Sequence, residues 1–164
     1  MEELSTDQKI QFLHRSYSAV DGLWFMKVEE KYGFDAALDI DQEVWQVLPK
    51  IQARMLKTML GLDGGIDGLA RSLFVRLRLD EFKYRLEKQT DTELEISIDS
   101  CPWQALLEKS GRANLSGRIG DRVCKADYTV WAHEFGKDIK FNLTSQICKG
   151  AKKCVMSFTM EPNP

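Results

Sequence analysis

The chain has no run that approaches the ~18 consecutive apolar residues of a membrane span. Its first residues, Met1 to Lys9, are acidic and polar where a signal peptide would be basic and then apolar. A membrane partner is excluded on this reading, and the expected compartment is the cytoplasm. Charge of one sign is also lacking. With 23 basic against 25 acidic residues and a formal charge of −2, no global field gathers nucleic acid or an anionic surface. Prolines number 4 and histidines 2, and there is no internal repeat, low-complexity tract or linker rich in Pro, Gly or Ser. The Gly-x-Ser-x-Gly elbow and the helical His-Glu-x-x-His motif are both absent. Gly61, Gly64, Gly65 and Gly68 are close-set, but they follow a helical pattern and lack the Gly-Lys-Ser/Thr ending of a phosphate loop.

The 164 residues, 43% hydrophobic and 29% charged, suffice for one domain spanning 1–164, and such a domain buries about two thirds of its unfolded surface. Ser5-Thr6-Asp7-Gln8 is a capping-box pattern, so a helix is expected from Thr6 to Tyr32 before Gly33. Its apolar stripe is Ile10, Leu13, Tyr17, Val20, Trp24 and Val28, with Trp24 expected to be buried at the centre. A second long helix from Asp35 carries Leu38, Val44, Val47, Leu48, Ile51, Met55, Leu56 and Met59 and stops at Gly61. Pro49 predicts a kink or break near Leu48. A third helical face covers 66–77. Residues 1–61 then form a helical extension that either packs on the rest or makes a homodimer interface, and Gly61 to Gly68 is the best candidate boundary.

Alternation begins at Phe82. Phe82, Tyr84 and Leu86, then Leu94, Ile96 and Ile98, predict a hairpin joined by Gln89-Thr90-Asp91. Ser100 or Asp99 caps a short helix from Pro102 to about Lys109, and a longer helix runs from Asn114 to about Phe135, with Leu115, Ile119, Val123, Ala126 or Asp127, Val130 and Glu134 along its face. Ile139 to Leu143 and Val155 to Met160 supply two more strands. The order ααα-ββ-αα-ββ has no β-α-β alternation, which argues for an α+β fold: an antiparallel sheet of about four strands covered by helices.

Four cysteines remain, Cys101, Cys124, Cys148 and Cys154, and a cytosolic chain with a real core has no need of disulfide staples. If both hairpins share one sheet, Cys101, Cys148 and Cys154 converge at one edge or end. Three thiolates suit zinc or an iron–sulfur cluster. The alternative is that they are buried small hydrophobes, which is the simplest reading of Cys124 inside its helix. Cys101 precedes Pro102, so a helix N-terminus should favour its thiolate and make it more reactive than Cys124. Cys148 and Cys154 flank Lys149, Lys152 and Lys153, and their sulfurs should lie within ~7 Å because the loop turns back into a strand.

A polar row, His14, Ser18, Asp21, Phe25 and Glu29, borders the Trp24 stripe and either lines a ligand pocket or faces solvent. His14 and Asp21 are two turns, ~10 Å, apart along the helix. His133, in Trp131-Ala132-His133-Glu134-Phe135, is a candidate for proton transfer or a histidine placed favourably at a helix C-terminus.

His14-Arg15-Ser16-Tyr17 with Val20 to Phe25, Cys101-Pro102-Trp103, and Cys148 through Phe158 resemble the L-2-amino-thiazoline-4-carboxylate hydrolase-like proteins of prokaryotes. That resemblance implies opening of a small cyclic C–N substrate by water, with Cys101, Cys148, Cys154 and the His14 row as the matching positions. The second half also resembles the 4-vinyl-reductase-like small-molecule-binding domain. The expected function is a cytoplasmic small-molecule- or metal-binding protein with a cysteine-lined site, the alternative being a hydrolase with His14, Asp21, Cys101 and His133 as catalytic residues.

Overall fold

A computed structural model describes residues 3–161. Helix α1 is Thr6–Tyr32, and both halves of its capping box form: the Gln8 amide donates to Ser5 Oγ at 3.2 Å and the Ser5 amide to Gln8 Oε1 at 2.8 Å. Pro49 breaks the second long helix as expected, giving α2 (Phe34–Val44) and α3 (Leu48–Leu60) with the proline in the first turn of α3. The remaining helices are α4 (Gly65–Leu79), α5 (Pro102–Lys109) and α6 (Ser116–His133). Strands β1 (Lys83–Gln89), β2 (Glu93–Ser100), β3 (Lys140–Ser145) and β4 (Cys154–Thr159) form one antiparallel sheet in the order β1-β2-β4-β3. This is an α+β fold.

The chain divides into two compact units, Met1–Glu43 and Val44–Pro164. The division precedes the Gly61 to Gly68 stretch because α3 packs on α6 and α4 and so belongs to the second unit. The glycine cluster has a packing role there. A Cβ on Gly68 would stand 2.1 Å from the Asp63 carbonyl oxygen and 3.1 Å from the Phe135 ring, so only glycine lets the start of α4 approach so closely.

The core of the second unit joins Leu69, Leu73 and Leu77 of α4 and Trp131 and Ala132 of α6 to one face of the sheet, Leu94, Ile96 and Ile98 on β2 opposite Phe158, Met156 and Cys154 on β4. Cys154 therefore extends the apolar face of the sheet at the end where β2 stops. Within this core Arg76 reaches Asp127 through two parallel contacts of 2.7 Å, lies 3.4 Å from Asp80, and faces the rings of Trp131, Tyr128 and Trp45 at 4.6, 5.5 and 6.0 Å.

Three faces differ from the sequence expectation. In α1 the residues Ile10, Leu13, Val20 and Trp24 are exposed, Trp24 to 68%, while His14, Tyr17, Ser18, Asp21, Phe25, Val28 and Glu29 are half-buried. In α3 the buried residues are Pro49 and Ala53, and Val47, Ile51, Met55 and Met59 face outward. In α6 the covered residues are Ser116, Gly120, Asp127, Tyr128, Trp131 and Ala132; of the expected row Asp127 is among them, while Leu115, Ile119, Val123 and Val130 are half-buried. Periodicity shows that a stripe exists, whereas packing against neighbouring elements decides which side is covered.

Candidate functional site: a four-cysteine cluster

Four elements of the second unit each bring one cysteine to the end of the sheet. Cys101 follows β2 and is the N-cap of α5, a position the sequence had given to Ser100 or Asp99. Cys154 opens β4, paired with Ile98. Cys148 lies in the 3-10 turn Ile147–Lys149 between β3 and β4, and Cys124 lies in α6. All four are free thiols, each half-buried.

Local geometry explains why the turn settles on α6. Ser116 Oγ donates to the Cys148 carbonyl at 3.2 Å. One turn further along, Gly120 offers bare backbone: a Cβ there would stand only 2.5 Å from Cys148 Sγ. Cys124 follows another turn on, so Ser116, Gly120 and Cys124 form one row of small residues beneath the loop. On the strand side the Ile147 amide donates to Cys154 Sγ at 3.2 Å, and Ser145 Oγ donates to the Lys153 carbonyl at 2.7 Å, closing the turn.

The thiols interact as a group. Burial pushes the Cys101 thiol up to about 11, with the amides of Gln104 and Trp103 pulling it down and charge on Cys154 and Cys148 pushing it up further. Burial pushes Cys124 well up, and charge on Cys101, Cys148 and Cys154 adds to it. Burial also raises Cys148, helped by Cys154 and Asp121, and raises Cys154 against the pull of the Ile147 amide.

The helix N-terminus acts on Cys101 in the expected direction, but loss of hydration acts more strongly, so its thiolate is disfavoured at neutral pH. Stability should respond to pH accordingly. A thiol whose folded pKa exceeds its unfolded value keeps its proton while the unfolded chain releases its own, so stability is complete below about 9 and falls as pH rises toward 11. The urea midpoint should drop between about pH 8 and pH 10.5, and Cys101→Ser should flatten that dependence; an unchanged slope in the variant would show that burial of Cys101 is not its source.

The basic residues of the loop have acidic partners. Lys149 pairs with Asp121 and Lys153 Nζ lies 3.3 Å from Glu87, whose carboxyl is held below its usual range by Ser97 and Lys153. Two of the three lysines therefore do not offer free positive charge to an anion, and Lys152 is exposed.

His133 stands apart from the cluster, and His14 and Asp21 fall in the other unit. His133 is exposed at the last residue of α6, nine positions beyond Cys124, which is about 13 Å along the helix. His14 and Asp21 belong to the first unit, where His14 accepts at its carbonyl from Ser18 Oγ at 3.1 Å and burial raises the Asp21 carboxyl. Among the described residues no three His, Cys, Asp or Glu side chains stand in positions that could hold a metal ion directly, and no helix is long and apolar enough to cross a membrane. Cys124 packs against the hydrophobic core, as expected of a cysteine inside its helix, and so do Cys101 and Cys154.

No curated protein and no solved structure matches the chain. One family model matches residues 2–158, nearly the whole sequence, and the chain belongs to that family, a family of unknown function (DUF6125).

Proposed function

We propose that this protein binds a thiolate-ligated metal centre, zinc or an iron–sulfur cluster, through Cys101, Cys124, Cys148 and Cys154. The observation that carries the reading is positional: four separate elements of one unit supply one thiol each, Cys101 at the N-cap of α5, Cys154 at the start of β4, Cys148 in the turn whose sulfur faces Gly120, and Cys124 one turn beyond Gly120 on α6. Four sulfurs and no imidazole form the softest donor set a chain can supply, which suits zinc and iron–sulfur centres over magnesium or calcium. Binding has to draw the sulfurs inward from their present positions and displace their protons, so affinity should climb steeply with pH in the range where the thiols are protonated. A shell of four thiolates leaves no position for a substrate water, which suits a structural or electron-carrying centre. The hydrolase-like alternative has water as its nucleophile and draws on His14, Asp21, Cys101 and His133, of which His133 is exposed at the end of α6, about 13 Å along the helix from Cys124.

The test is a cobalt titration of anaerobic, reduced full-length protein. The expected result is one equivalent bound with intense sulfur-to-cobalt charge-transfer absorption, displaced by zinc, with at least a tenfold loss of affinity in each Cys→Ser variant, Cys124→Ser included. Absence of charge-transfer absorption, together with no zinc or iron in protein purified without chelator, would refute the reading.

A further inference from the structure

Helix α1 carries an apolar surface that the described structure leaves uncovered. None of its 27 residues is buried, and Ile10, Phe12, Leu13, Val20, Leu23, Trp24 and Met26 are all exposed, Leu13 to 65% and Leu23 to 55%. At on the order of 100 Å² each, these seven side chains present about 700 Å², more than the 300–600 Å² of the largest patch on a typical monomer.

The arrangement of these residues is two-fold. Ile10 and Met26, Phe12 and Trp24, and Leu13 and Leu23 are placed symmetrically about position 18. At about 100° per residue, each such pair is also symmetric about one direction perpendicular to the helix axis. An isologous dimer demands this: a patch that is its own complement when rotated by half a turn. Ser16 and Ala19, small residues near the centre, allow the two backbones to approach, with Leu13 and Leu23 flanking them.

We infer that α1 is the interface of a homodimer in which the two copies of the helix pack antiparallel, crossing at the level of Ser18, so that Leu13 of one copy meets Leu23 of the other. The five side chains nearest that direction, Phe12, Leu13, Val20, Leu23 and Trp24, would bury about 1,000 Å² over the two copies, the low end of specific interfaces. Lys9 falls opposite Lys27 in this register, and Lys27 is held by Glu30 of its own chain at 2.7 Å, which tempers the repulsion.

The test uses the full chain and two charge variants, Leu13→Glu and Leu23→Lys, at positions exposed enough for the monomer to keep its helix content. Sedimentation equilibrium should give twice 18.8 kDa for the unaltered protein and a monomer for each variant alone. An equimolar mixture should re-associate at least tenfold more tightly than either variant. Only antiparallel pairing sets the introduced carboxylate at position 13 against the introduced ammonium at position 23 at one contact and leaves leucine against leucine at the other. A monomeric parent protein would overturn the inference. So would failure of the mixture to re-associate, or loss of the dimer on Ile51→Glu with α1 unaltered, which would move the interface to the exposed row of α3.

Discussion

Replacing Asp127 by alanine should destabilise the unit Val44–Pro164 by about 3–5 kcal/mol, read as a lower urea midpoint with unchanged slope. The reason is the position of its partner. The Arg76 guanidinium is buried, held by both Asp127 oxygens at 2.7 Å and enclosed by Trp131, Tyr128 and Trp45. Burial pushes the guanidinium toward losing its proton, and Asp127 more than offsets this. Without Asp127 a nearly dehydrated cation keeps only Asp80, at 3.4 Å. The aromatic faces help, but each such contact is worth only about 0.5–2 kcal/mol. The double replacement Arg76→Met with Asp127→Leu should recover most of the loss, because the pair's attraction roughly balances the cost of dehydrating it. If the double variant is as unstable as Asp127→Ala, the pair supplies stability in its own right.

Gly120→Ala should disrupt the cysteine cluster more than any other single methyl group. The added Cβ meets Cys148 Sγ at 2.5 Å, and real Cβ atoms do not stand that close, so the Cys148 thiol must turn away or the turn Ile147–Lys149 must lift from α6. Alanine is otherwise about 1 kcal/mol better than glycine inside a helix. The two effects have opposite signs and can be separated. With Cys148 present the substitution should cost about 1–3 kcal/mol, the usual range for overpacking, and should weaken cobalt binding at least tenfold. In a Cys148→Ala background the obstruction is gone, and the same substitution should stabilise the protein by up to about 1 kcal/mol. Stabilisation in both backgrounds would mean that the loop does not need its contact with Gly120.

Local signals were the legible ones. Ser5 and Gln8 form their capping box, Pro49 breaks the helix where a missing N–H and a ring clash require it, and Leu94, Ile96 and Ile98 alternate inward along β2, whereas β1 has only Tyr84 half-buried and exposes Leu86. These depend on residues within a few positions of one another. The faces of α1 and α6 depend on what packs against them. Trp24 sits at the centre of a clear stripe and is exposed, while the covered side of α6 combines Ser116, Gly120 and Asp127 with Tyr128, Trp131 and Ala132, a mixture that hydropathy alone does not pick out. The cysteine cluster was partly legible for the same reason. Strand order placed Cys101, Cys148 and Cys154 at one end of the sheet, but Cys124 joins them only because Gly120 admits the Cys148 turn. Helix position gave the sign of the amides' effect on Cys101, and the larger opposing effect of dehydration is a tertiary property that no local pattern carries.

Strand β1 lies at the margin of the sheet, with one side of its backbone unpaired. Such a margin is a template on which another chain can add a strand, and proteins guard it with charge and irregularity. Lys83, Arg85, Glu87 and Lys88 put four charges into its seven residues, and its register with β2 shifts twice, between Lys83 and Tyr84 and between Leu86 and Lys88. A fifth strand docking there would have to seat its side chains against those charges on a backbone whose hydrogen-bonding groups are out of step. This margin is thereby protected from growth and from the aggregation that growth begins.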